Sequence, residues 1–296
     1  MERVPAHARF AAPEAIRDAN VLMYIDRTVA GIRYSNLASQ VIDDFLENYY
    51  QWIAATSFIQ GLERFVVKRF SQGTTETFDK FYFKHRARKI RFFDGEYAYH
   101  RINLRHTGSC AAISAEEPLR EGDALILSIP FADTLDLYAG HYRNLKQLFT
   151  ECDRLSIPVL LDLVFLGTLR QLSVDASFGC IDAMTFSLSK TFPVGNCRIG
   201  MRLSRDDYDD GLNFYHVERY NSLISATIGL ALVRQFDAFY MVENYHSEHL
   251  AICQSLNLEP SGSILFGFGG DEYKAYRRAN LCNRVFVGRE YRRTRG

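Results

Sequence analysis

Apolar positions set the frame of this chain. Leu37, Val41, Phe45, Tyr49, Ile53, Phe58 and Leu62 recur at close to helical spacing, which predicts helix over residues 36–70. Ser71-Gln72-Gly73-Thr74-Thr75-Glu76-Thr77 interrupts that period and predicts a glycine turn that opens a helix through Phe78, Phe81 and Phe83. Further on, short apolar runs alternate with amphipathic stretches. Residues 89–93, 124–129, 158–162, 183–187 and 198–203 read as strands, and residues 141–155 as a helix with Leu145, Leu148, Phe149 and Cys152 on one face. Strands that are apolar almost throughout, separated by helices, predict an α/β fold with a mainly parallel central sheet sandwiched by helices. The acidic run Asp206-Asp207-Tyr208-Asp209-Asp210 breaks the alternation. Helix is predicted over residues 220–245, and the segment from Ser261 onward reads as a short α+β piece. The expected division is a large domain, residues 36–205, and a reduced small α+β domain built from 1–35 and 206–296.

Composition narrows the function classes. The 296 residues are 47% hydrophobic and 24% charged, so a substantial core can form. Lys plus Arg and Asp plus Glu are both 35, so the chain has no net electrostatic pull toward nucleic acid or a membrane. The basic residues Arg289, Arg292, Arg293 and Arg295 read as a solvated tail. The cysteines Cys110, Cys152, Cys180, Cys197, Cys253 and Cys282 form no C-x-x-C pair, and His100, His106 and His216 have no metal-ligand spacing. Neither a metal site nor a disulfide scaffold is expected; reduced thiols are. No apolar h-region follows Met1-Glu2-Arg3-Val4-Pro5, and the longest apolar runs are too short to span a bilayer. The expected location is the cytoplasm.

The chemistry concentrates around Lys190, which ends the run Thr185-Phe186-Ser187-Leu188-Ser189-Lys190. Arg198 lies eight residues later, and Asp162 ends the apolar strand before it. A lysine can form an imine with an aldehyde, an aspartate can hold a proton on a ring nitrogen, and hydroxyls with an arginine can grip a phosphate. Pyridoxal phosphate has all three handles. Ligands of parallel sheets sit beyond the carboxyl ends of the strands, where Asp162 and Ser187 are expected. Gly73, Thr74 and Thr75 at a helix start offer amides and hydroxyls to an anion. Plainer readings stand beside these: Asp162 as a helix cap, Ser187 and Ser189 as turn residues, Gly73 to Thr75 as a bare helix start, and Arg284 as an ion-paired surface arginine.

The segments Ile157-Pro158-Val159-Leu160-Leu161-Asp162-Leu163-Val164-Phe165-Leu166-Gly167 and Ser187-Leu188-Ser189-Lys190-Thr191-Phe192-Pro193-Val194-Gly195-Asn196-Cys197-Arg198-Ile199-Gly200 resemble the class I/II aminotransferases, the fold-type-I pyridoxal-phosphate enzymes. The second is similar to the family's S-x-S-K…R-x-G signature, with the lysine-to-arginine spacing intact. The resemblance implies that Lys190 forms the Schiff base and shuttles the substrate proton, and that Asp162 pairs with the ring nitrogen. It also implies that Ser187, Ser189, Arg198, Gly73, Thr74 and Thr75 hold the phosphate. Tyr97, with Phe93 as runner-up, matches the aromatic that stacks on the ring, and Arg284 in Asn283-Arg284-Val285 resembles a substrate-carboxylate clamp. Two positions depart from the family. Phe165 stands where a tyrosine hydroxyl is usual, and in Pro130-Phe131-Ala132-Asp133-Thr134-Leu135 the usual asparagine is replaced by Ala132. Both usual donors to the cofactor's phenolate oxygen are absent. The implied function is a homodimeric aminotransferase moving an amino group between an amino acid or amine and a keto acid. The alternatives are a decarboxylase or lyase on the same fold, and a non-catalytic family member.

Overall fold

The computed structural model describes residues 13–105, 110–114, 116–129, 144–278 and 282–291. In chain order the elements are α1 (Ala19–Gly31), α2 (Gln40–Ala54), β1 (Ile59–Gln60), β2 (Val67–Ser71), α3 (Thr74–Lys84), β3 (Lys89–Phe93), α4 (Ala98–Leu104), β4 (Cys110–Ile113) and β5 (Asp123–Ser128). There follow α5 (Leu145–Arg154), β6 (Val159–Asp162), β7 (Val174–Asp175), β8 (Ile181–Ser187), β9 (Gly200–Ser204), α6 (Gly211–Val217), α7 (Leu223–Gln235) and α8 (Tyr240–Ser255). Strands β10 (Glu259–Pro260), β11 (Phe266–Gly269), β12 (Arg277–Arg278) and β13 (Cys282–Phe286) close the described chain.

Seven strands form the central sheet in the order β2-β9-β8-β6-β5-β3-β4. Pairs β3–β4, β3–β5, β5–β6 and β6–β8 are parallel, whereas β9 runs antiparallel to both β8 and β2. Every residue of β5 and β6 is buried. Their side chains alternate between two cores, as a pleat requires. Leu125, Leu127, Val159 and Leu161 join the core with Phe45 of α2, Phe149 of α5 and Leu232 of α7. Ala124, Ile126 and Leu160 join the other core with Phe78 and Phe81 of α3. The sheet is therefore covered on both faces, as the apolar runs predict. A smaller antiparallel sheet has the order β10-β11-β13-β12.

Two expectations are corrected. The helix predicted over 36–70 ends at α2. Beyond it the Thr56 hydroxyl donates to the Ile53 carbonyl and accepts from the Phe58 amide, and Ser57 takes a left-handed conformation (φ 57°). Such local side-chain bonding competes with helix. Residues 67–71 are instead edge strand β2, whose Lys68 and Arg69 mask a half-buried pattern. The helix predicted over 220–245 divides into α7 and α8 at Phe236–Phe239. There Asp237 accepts from the Phe239 amide, and the Trp52 indole donates to the Phe236 carbonyl at 2.8 Å. Strand β4 has no counterpart in the sequence reading. Ala132, His106 and the basic residues from Arg292 lie outside the described residues.

Candidate active site

The sheet's register assembles the site. Ser128 pairs with Asp162, Asp162 with Thr185, and Ser187 with Gly200, so the carboxyl ends of β5, β6 and β8 align along one edge. Because β9 is reversed, its first residue reaches that same edge and brings Arg198 with it. Gly200 also pairs with Ser71, the last residue of β2, so the turn into α3 opens beside Ser187. One cavity at this edge is lined by Thr74, Thr75, Ser187, Ser189, Lys190, Arg198, Asp162, Tyr97 and Arg284, together with Pro13, Glu96, Ser128, Val164 and Phe165.

Its anion cradle lies at the start of α3. Gly73 has φ 76° and ψ 179°, a region essentially closed to other residues. A Cβ there would overlap the Arg198 guanidinium, and a Cβ on Gly200 would crowd Gly73 and the Ser71 hydroxyl. Arg198, itself left-handed at φ 53°, donates to the Gln72 carbonyl at 2.9 Å and to the Thr75 hydroxyl at 3.0 Å. The Ser187 hydroxyl lies 2.9 Å from that of Ser189 and 3.0 Å from the Ile199 carbonyl. The first amides of a helix and an arginine fork together favour a phosphate-like anion. The buried Ser71 hydroxyl has no hydrogen-bond partner among the described residues.

Opposite the cradle is an acid centre. Asp162 is 4% exposed; its Oδ1 accepts from the Val164 amide at 3.1 Å and its Oδ2 from the Ser128 hydroxyl at 3.4 Å. Burial, then the neighbouring Glu96 charge, pushes its carboxyl up to about 7. Glu96 is equally buried and accepts from the Ser128 amide at 2.9 Å. Burial likewise raises it to about 7, only partly offset by hydrogen bonds from Ser128 and the Tyr97 amide. Lys190, half-buried between Asp162 and Arg198, donates to the Pro13 carbonyl. Burial lowers its affinity for a proton, Arg198 adds to that, and Asp162 and Glu14 oppose it. A lysine so placed keeps more of the neutral, nucleophilic amine than a surface lysine.

The remaining wall is aromatic. Tyr97 is 42% exposed and stacked on Tyr99, whereas its runner-up Phe93 is buried in the core and does not line the cavity. Phe165 lines the cavity and meets the edge of Phe266, whose ring carries the Arg284 guanidinium at 4.5 Å. Thus, of the sequence-derived candidates, all but Gly73 and the runner-up Phe93 line the cavity, and Gly73 lies against the Arg198 guanidinium. Glu96 and Ser128 are additions that sequence reasoning missed. Their one legible signal is position, just past the carboxyl end of β3 and at that of β5. His100, by contrast, is buried among aromatic rings, with Nδ1 at 2.7 Å from the Tyr82 hydroxyl. All six cysteines are free, and among the described residues no helix is long and apolar enough to cross a membrane.

No family model and no curated protein matches the chain. Solved structures do. A PLP-bound C–S lyase from Staphylococcus hominis, complexed with the inhibitor L-cycloserine, gives a TM-score of 0.66 at 12% identity, over 95% of this chain and 85% of that one. A PLP-bound putative aminotransferase from Clostridium difficile 630 gives 0.63 at 12%, over 89% and 76%. The aromatic aminotransferase of Pyrococcus horikoshii OT3 gives 0.56 at 12%, over 86% and 77%. The chain has the fold-type-I architecture that these lyases and aminotransferases share.

Proposed function

We propose that this chain is a pyridoxal-phosphate-dependent enzyme of the aminotransferase type, acting on an amino acid or amine. One observation carries the reading: an amine, a buried acid and an anion cradle converge on a single cavity at the strand ends. The residues present fit the cofactor. A protonated ring nitrogen supplies the cation that buried Asp162 needs in order to ionise. Gly73 and Gly200 leave out the Cβ atoms that would fill the cradle, and Arg198 with the α3 amides suits a phosphate. When bound, the cofactor supplies an electron sink for negative charge at the substrate Cα.

The chain's own residues do the rest. Asp162 holds the proton on the ring nitrogen. Lys190 would hold the cofactor through its aldehyde and would carry a proton to and from the substrate Cα. Tyr97 would stack on the ring, Phe165 and Val164 would exclude water, and Arg284 would bind the substrate carboxylate; all four line the cavity. A second copy of the chain completing the site belongs to the same proposal, as does the two-part division at residue 205.

A lyase or decarboxylase reaction is the second reading. It is favoured by Phe165, which puts a ring without a hydroxyl into the cavity wall. Borohydride reduction of cofactor-loaded protein, followed by peptide mass spectrometry, is expected to place the adduct on Lys190. An adduct elsewhere, or none, refutes both readings and favours a non-catalytic role. Incubation with amino acids then separates the two: accumulation of the amine form of the cofactor supports transfer, and product release with the aldehyde retained supports cleavage.

A further inference from the structure

Glu96 has no place in the scheme above, yet it is one of the two buried carboxylates in the cavity wall. It follows the β3 strand through a glycine turn, Gly95 at φ 87°, that returns its side chain to the sheet edge. Ser128, on the strand between, binds both acids at once: its amide donates to Glu96 Oε1 at 2.9 Å and its hydroxyl to Asp162 Oδ2 at 3.4 Å. Glu96 Oε2 is buried with no hydrogen-bond partner among the described residues. Adjacent ends of β3, β5 and β6 therefore hold a carboxylate, a bridging serine and a second carboxylate.

We propose that Glu96 is a positioning residue that shares one negative charge with Asp162 across Ser128, and so sets the charge Asp162 presents to the cofactor's ring nitrogen. This rests on the reading of Asp162 as the anchor of that nitrogen. Two like charges so close in a buried site cannot both ionise freely. The surrounding groups decide where the single charge rests. Lys190, from the turn after β8, draws it to Asp162, and Arg284, from β13, draws it to Glu96. Tyr82 of α3 also faces Asp162, and burial with nearby acids keeps its hydroxyl neutral. A ring cation at Asp162 fixes the charge there. The proton that Asp162 gives up is taken by Glu96, so none enters or leaves the pair when it already carries one. When the ring arrives already protonated, binding to the fully protonated pair releases one proton to solvent.

The test begins without cofactor. Carbon NMR of labelled carboxylates is expected to show Asp162 and Glu96 titrating in two coupled steps. In Glu96→Gln, whose amide oxygen can still accept from the Ser128 amide, Asp162 is expected to titrate in one step, lowered by roughly one pH unit. Asp162→Asn is expected to lower Glu96 by the same amount, because coupling is reciprocal. An unmoved Asp162 midpoint in a folded Glu96→Gln protein overturns the proposal, since a merely structural glutamate would leave it unmoved. Pyridoxal phosphate is then titrated into wild type and Glu96→Gln between about pH 6 and pH 8. The ratio of wild-type to variant affinity is expected to rise by about fivefold with pH across that window, because at the acidic end wild type must shed more proton than the variant, whose Asp162 is already about half ionised there. A flat ratio with intact binding overturns the role of Glu96 alone. Coupled titration in a protein that binds no pyridoxal phosphate overturns the functional reading and, with it, the role given to Glu96.

Discussion

Phe165 is the residue at which the reaction is most open to experiment. It stands in the cavity wall and carries no donor for an ionised oxygen of a bound ring. A hydroxyl there would stabilise that ionised oxygen and weaken the hold of the neighbouring imine nitrogen on its proton. Phe165→Tyr is therefore expected to lower the pH of the visible absorbance transition of the loaded protein by about one unit, the worth of one hydrogen bond to a charged group. An unmoved transition would mean that another side chain already donates to that oxygen. At this scale much of the lining of the candidate cavity was legible. Lys190, Asp162, Ser187 and Arg198 carry their meaning in linear spacing, because a strand end or a tight turn fixes each locally. Glu96 and Ser128 were not legible. Their meaning arises where three strands lie side by side, and no periodicity within one segment encodes which strand neighbours which.

Elements show the same limit. The buried strands β5, β6 and β8 were legible because both faces are apolar, whereas β2 and β4 are edges with mixed patterns. The over-long helix over 36–70 arose because apolar spacing continues past Ala54, while Thr56 and Ser57 stop the backbone hydrogen bonding. The turn from β2 into α3 was read correctly as a glycine-led helix start, and its energetics can be tested. Gly73→Ala must force a Cβ into the Arg198 guanidinium and hold alanine in a region that costs about 1–3 kcal/mol. Arg198 has to leave the Thr75 hydroxyl, and the cradle opens. The variant is expected to bind pyridoxal phosphate at least about tenfold more weakly, measured by equilibrium dialysis, while free pyridoxal, which lacks the phosphate, is expected to bind it and wild type alike. Equal weakening for both ligands would place the damage in the fold rather than in the cradle.

Across the whole molecule, the two ends of the central sheet are electrostatic opposites. At the amino end of β8, Asp182 meets Lys84 at 2.8 Å, His85 at 3.0 Å and the Tyr208 hydroxyl. Burial alone would raise its carboxyl, but these three hydrogen bonds prevail and hold it down at about 2, against an ordinary 3.8. The folded state therefore binds Asp182's proton less tightly than the unfolded state. Its contribution to stability is complete above the ordinary carboxylate range and is lost as pH falls from 3.8 toward 2. At the carboxyl end, Glu96 is raised from 4.5 to about 7, so there the folded state binds the proton more tightly and stability is lost as pH rises across that interval. Difference measurements remove the titrating groups that neither substitution touches; at the cavity end the difference also carries the coupled shift of Asp162. Asp182→Asn is expected to cost about 2 kcal/mol at neutral pH, a deficit that disappears toward pH 2. Glu96→Gln in the cofactor-free protein is expected to be near neutral around pH 4 and to gain about 3 kcal/mol by about pH 8. Urea unfolding of the three proteins at several pH values reads both curves. A Glu96→Gln gain that does not grow with pH would mean that the carboxylate is already satisfied when ionised. The opposite slopes follow from the partners each acid has: Asp182 meets Lys84, His85 and the Tyr208 hydroxyl, whereas at the cavity end burial outweighs the charges of Lys190 and Arg284 and leaves both Asp162 and Glu96 raised.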